Sequence, residues 1–78
     1  MERQVILETF VEVASAVFGR EVACDENLRA DDVPEWDSLE NFRLLVSLEK
    51  RFNIKFTGSE ITDLKNVGTL VTLIQSKL

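Results

Sequence analysis

Asp37, Ser38 and Leu39 stand where a long polar connection ends and a helical run, Leu39 to Phe52, begins. A serine hydroxyl can act as a nucleophile beside a base, as a helix cap, or as the attachment point of a covalent group. The chain has no histidine, which removes the commonest general base and every Ser/His or Cys/His pair. A serine hydrolase is therefore poorly supported, because a chain of 78 residues is also too small to enclose an obvious oxyanion site. With a single cysteine, Cys24, there is no Cys/His zinc set either. Two roles remain for Ser38: part of a helix cap, or a tether. An anionic ester at that position meets unpaired backbone N–H groups and the positive end of the helix dipole, each a favourable term of about 0.3 to 1 kcal/mol.

The elements that must position these residues follow from periodicity. Ile6, Phe10, Val13, Ala14 and Val17 recur at helical spacing, with Gly19 as a natural stop and Glu2, Glu8 and Glu12 on the wet side. Between Gly19 and Asp37 the periodicity disappears among polar residues, yet Val22, Leu28, Val33 and Trp36 are spaced as apolar anchors. A loop of this length is more often functional than accidental. Asp37 is a good N-cap, and Glu40 three residues later completes the pattern of a capping box. Leu44, Leu45, Leu48 and Phe52 form the buried stripe of this second helix, a rod of roughly 22 Å. Ser38, Phe42 and Val46 form a second line along it, so a group on Ser38 begins beside exposed or half-exposed apolar side chains.

Asn53-Ile54-Lys55-Phe56 alternates like a strand, but it is too short and has no partner run, so an anchored loop is expected. Thr57 to Glu60 offers caps for a short helical turn through Ile61 and Leu64. The last helix carries Val67, Leu70, Val71, Ile74 and Leu78 on one stripe behind Asn66 as cap. The expected fold is all-α, one domain over residues 1–78, a small four-helix bundle with a long first loop and a short third helix.

Composition narrows the partners. Apolar residues make up 45% of the chain and charged residues 29%, the profile of a soluble globular protein. A formal charge of −5 with no basic run disfavours nucleic acid and anionic membranes and favours partners with basic surfaces. Neither a signal-peptide pattern nor a long apolar segment is visible, and one cysteine permits no intrachain disulfide, so a cytoplasmic monomer is expected. Cys24 is expected to be a small buried or half-buried apolar residue.

From Trp36 onward the sequence Trp-Asp-Ser-Leu-Glu-Asn-Phe-Arg-Leu-Leu-Val-Ser-Leu-Glu-Lys-Arg-Phe-Asn-Ile-Lys-Phe resembles the second-helix region of acyl carrier proteins. The family's register is matched at Leu44, Leu48-Glu49 and Phe52, and the order and length of the helices match over the whole chain. The resemblance implies that Ser38 bears 4′-phosphopantetheine, flanked by Asp37 and Leu39, and that the chain is a carrier rather than an enzyme. It implies as partners a phosphopantetheinyl transferase and acyl-loading and acyl-processing enzymes. Trp36, Phe42, Arg43, Val46 and Ile61 are the candidates for contact with partner or acyl group. Ordinary packing is the plain alternative for Phe42 and Val46, and Trp36 is expected to pin the long loop to the bundle.

The chain also departs from the family. Arg43, Lys50 and Arg51 occupy positions where acidic or neutral residues are usual, which suggests a dedicated carrier in a polyketide-like, glycan-linked or other specialised pathway rather than the general fatty-acid carrier. Five phenylalanines suggest a crowded interior and a short or polar cargo held mostly outside the bundle. Two other carrier types stay open, D-alanyl and peptidyl, though Glu35-Trp36-Asp37 does not resemble the usual approach to a peptidyl carrier's serine. Outside the class, the competitor is a helical adaptor in which the serine is only a cap.

Overall fold

A computed structural model of the chain describes residues 2–22, 25–62 and 66–78. Helix α1 spans Arg3–Phe18, α2 spans Ser38–Phe52, α3 spans Gly58–Thr62 and α4 spans Val67–Lys77. A single 3-10 turn, Ala30–Asp32, interrupts the long first connection, and no strand occurs among the described residues. The all-α bundle with a long first loop and a short third helix is as its periodicity predicts.

Helix α1 packs against both α2 and α4. Its buried side is Ile6, Phe10, Val13 and Ala14, widened by Leu7, which the helical spacing alone did not single out. Val17 is only half-buried. The helix ends at Gly19, whose φ of 74° would strain any side chain, and the Gly19 N–H donates to Ser15 O at 3.0 Å. Across the core lie Leu44, Leu45, Leu48 and Phe52 of α2 and Val67, Leu70, Val71 and Ile74 of α4. Leu78 does not extend the α4 stripe as expected. The helix stops at Lys77 and Leu78 is 49% exposed.

The long connection is packed along its length. Val22 and Val33 are buried, and Leu28 and Trp36 lie half-buried against the core, so all the expected anchors engage. Among the described residues two ion pairs hold the loop from outside. Arg3 reaches Glu26 at 2.6 Å and also donates to Thr72 Oγ1 and Gly68 O, while Arg20 meets Glu35 at 2.6 Å. The Arg3 hydrogen bonds hold the Glu26 carboxyl below its ordinary range, and the Arg20 hydrogen bond does the same for Glu35.

Ile54 is buried and Phe56 half-buried with no strand between them, and the Phe56 N–H donates to Glu49 at 2.8 Å, so this segment is an anchored loop. Helix α3 opens on a reciprocal cap, with Thr57 N donating to Glu60 Oε1 at 2.8 Å and Glu60 N donating to Thr57 Oγ1 at 3.3 Å. Cys24 and Leu64 lie outside the described residues. Among the described residues no helix is long and apolar enough to cross a membrane.

Candidate functional site

The start of α2 is built by Trp36 and Asp37. Trp36 packs its ring on Phe18 and Phe10, with centroids 5.8 and 6.3 Å away, and its backbone N–H donates to Val33 O at 3.0 Å. The loop is thereby pinned to α1 immediately before the helix begins. Asp37 has extended backbone, and its carboxylate accepts from Glu40 N at 2.9 Å, satisfying one orphan donor of the first turn. Only this half of the expected capping box forms. The Glu40 carboxylate lies instead 3.6 Å from Arg43.

Ser38 is therefore the first helical residue and not the cap. It is exposed, and no hydrogen bond engages its hydroxyl among the described residues. The N–H groups of Ser38 and Leu39 have no acceptor within the helix, as expected for a first turn. An anion at Ser38 Oγ would meet these donors and the positive end of a 15-residue helix.

Beside Ser38 opens a cleft of about 370 Å³, walled by the cap Asp37, Ser38 and Asn41 of α2, Trp36 and Ala30 of the loop, Ile61 of α3, and Asn66 and Leu70 at the start of α4. Of the residues expected at the site, Trp36, Asp37, Ser38 and Ile61 meet here. Leu39, Phe42 and Arg43 do not line it. They face solvent around the serine, with Leu39 59% and Phe42 65% exposed. Core packing is thus excluded for Phe42, which also fills none of the interior. Val46 is half-buried on the same helix, below Phe42. Arg43 and Lys50 are exposed too, whereas Arg51 is engaged with Glu12 at 3.1 Å.

Asn41 did not stand out in the sequence as part of this site. Its Oδ1 accepts from Trp36 Nε1 at 2.8 Å, so it ties the loop anchor to the first turn of α2. The i, i+3 relation to Ser38 carries the signal that could have found it. The cleft wall contributed by Ala30, Asn66 and Leu70 has no such signal, because only tertiary packing brings these residues to the serine.

The described residues thus set an exposed serine at a capped helix start over a small cleft in a four-helix bundle. No protein-family model and no curated protein sequence matches the chain. Its structure is similar to the solution NMR structure of a holo acyl carrier protein from Geobacter metallireducens, with a TM-score of 0.86 and 36% sequence identity over 92% of this chain and 84% of that one. The chain belongs to the acyl carrier protein family.

Proposed function

We propose that Ser38 is the residue that carries 4′-phosphopantetheine, and that the chain presents acyl groups to partner enzymes without catalysing their chemistry. The observation that carries this is the exposed, unengaged hydroxyl of Ser38 at the first position of a helix already capped by Asp37. A serine that is only a cap would spend its oxygen on a backbone N–H, and here Asp37 does that instead. The holo state of the similar carrier supports the same cofactor.

The residues around Ser38 fit such a group. The Ser38 and Leu39 N–H groups would be donors to a phosphodiester on Oγ, and the neighbouring Asp37 carboxylate is tied to Glu40 N. When bound, the arm supplies the thiol that holds an acyl group as a thioester. Leu39 and Phe42 offer apolar contact to an incoming enzyme beside the serine, and Trp36 keeps the helix start in place for it. The exposed cations Arg43 and Lys50 on the same helix favour a dedicated set of acyl-loading and acyl-processing enzymes in a specialised cytoplasmic pathway.

Incubation with coenzyme A and a broad-specificity phosphopantetheinyl transferase tests the assignment. Intact mass should rise by one phosphopantetheinyl group in the wild type, and Ser38→Ala should abolish the gain completely. An unchanged wild-type mass with a transferase active on a control carrier would favour the adaptor.

A further inference from the structure

Trp36 stands immediately before the cap Asp37, and Asn41 is the fourth residue of α2. In many helices an apolar pair at these two positions staples the incoming chain to the first turn and fixes its entry angle. Here the staple is polar and directional. Trp36 Nε1 donates to Asn41 Oδ1 at 2.8 Å, and because an indole N–H can only donate, the carboxamide turns its oxygen toward the ring.

This bond spans Ser38. Inside it lie two bonds that shape the turn, Glu40 N donating to Asp37 Oδ1 at 2.9 Å and Asn41 N donating to Asp37 O at 2.8 Å. Neither fixes the turn to the rest of the bundle, and the first buried side chain of α2 is Leu44, more than a turn beyond Ser38. Trp36 supplies the missing tie. Its ring packs on Phe10 and Phe18 of α1, and Asn41 is the side chain that couples that ring to the turn. Helix ends fray most readily, so the place of an exposed Ser38 relative to the bundle depends on this pair.

Modification of Ser38 joins its Oγ to the phosphorus of coenzyme A that bears the pantetheine arm. The pyrophosphate P–O bond breaks, adenosine 3′,5′-bisphosphate leaves, and the hydroxyl proton passes to a base of the transferase. Attacking and leaving oxygens must lie roughly in line, and a misplacement of about 1 Å can cost about 100-fold in rate. We propose that Asn41 is a positioning residue for this transfer: by holding Trp36 it fixes the first turn of α2 where a transferase seated on the bundle meets the hydroxyl. It acts through Trp36 and not on the phosphorus. The proposal rests on Ser38 being the residue that carries the arm.

Single-turnover modification followed by intact mass, with the transferase in excess over the carrier, separates binding from the transfer step. Asn41→Ala and Trp36→Phe should each lower the saturating rate about tenfold and leave the half-saturating transferase concentration within about twofold of wild type. The double variant should be no slower than the slower single one, because both changes remove the same bond. Trp36→Phe keeps an aromatic ring against Phe10 and Phe18, so it carries the test if Asn41→Ala is unfolded by circular dichroism. Rates equal to wild type in folded variants, effects that multiply in the double variant, or a loss confined to half-saturation each overturn the proposal and leave Ser38 as the attachment point. Two single variants that both fail to fold make the bond purely structural and overturn it as well. No gain of mass in the wild type, with a transferase active on a control carrier, removes the attachment point and this proposal with it.

Discussion

Helices α2 and α4 begin with the same local device and put it to different ends. Each is capped by a side-chain oxygen that accepts from the third helical residue, Asp37 from Glu40 N at 2.9 Å and Asn66 from Thr69 N at 2.8 Å. At α4 the long loop then closes over the start. Val67 N donates to Leu28 O at 2.9 Å, Gly68 N donates to Glu26 O at 2.7 Å, and Val67 is fully buried. At α2 no described residue covers the matching positions. Ser38 and Leu39 are exposed, and their first-turn donors are open to solvent. A capped helix start is thus a closed joint or an open port according to whether the chain itself occupies its free N–H groups.

The first helical position should show the largest contrast. Val67→Ala removes fully buried side-chain volume and is expected to cost about 2 kcal/mol, roughly 10 °C in Tm for a domain of this size. Ser38→Ala, at the matching position of α2, should change stability by less than about 0.5 kcal/mol. Denaturant melts of both variants check this. Equal losses would mean that Ser38 is structural after all.

The second position should separate the two helices by a smaller amount. A Cβ on Gly68 would stand 3.1 Å from Glu26 O and 3.3 Å from Glu26 Cβ. The Glu26 backbone is held by its bond from Gly68 N and its side chain by Arg3, so it cannot retreat cheaply. Gly68→Ala gains up to about 1 kcal/mol of helix propensity and loses about 1–3 kcal/mol to crowding, for a net loss of about 1 kcal/mol. Leu39→Ala, at an exposed position, should lie within about 0.5 kcal/mol of wild type. A Gly68→Ala variant that melts higher than wild type would show that the loop can yield, and would weaken the distinction between joint and port.

The port was far more legible in the sequence than the joint. Asp37 as cap, Ser38 in the first turn and the stripe Leu44, Leu45, Leu48 and Phe52 all follow from residue types at helical spacing, because caps and stripes are local patterns. Asn66 was legible as a cap for the same reason. What the loop does at α4 was not, since the acceptors are the backbone carbonyls of Glu26 and Leu28, which every residue possesses. The demand for glycine at position 68 is likewise visible only once Glu26 has been placed against it. The cleft mixes the two cases. Ser38, Trp36 and Ile61 were expected at the site, whereas Asn41 and Asn66 acquire meaning there only when α2, α3 and α4 are brought together.

Acid should loosen the joint at the start of α4 through the loss of the Arg3–Glu26 pair. The Arg3 hydrogen bonds lower the folded-state pKa of Glu26 below the ordinary value of 4.5. A depressed carboxyl contributes stability that is fully present above its unfolded value and is lost as pH falls through the folded one. The charged Glu26 also anchors the segment whose carbonyls occupy the α4 donors, so its protonation should raise amide exchange at Val67 and Gly68. Ser38 and Leu39 amides have no such bond to lose and should exchange readily throughout. The check is site-resolved hydrogen exchange from about pH 7 to about pH 3, corrected for the intrinsic pH dependence of exchange. Glu26→Gln should reduce protection at Gly68 already at neutral pH and flatten its further loss below the carboxylate range. Protection at Gly68 that is indifferent both to acid and to Glu26→Gln would show that the carbonyl contacts hold α4 without the Arg3 clamp.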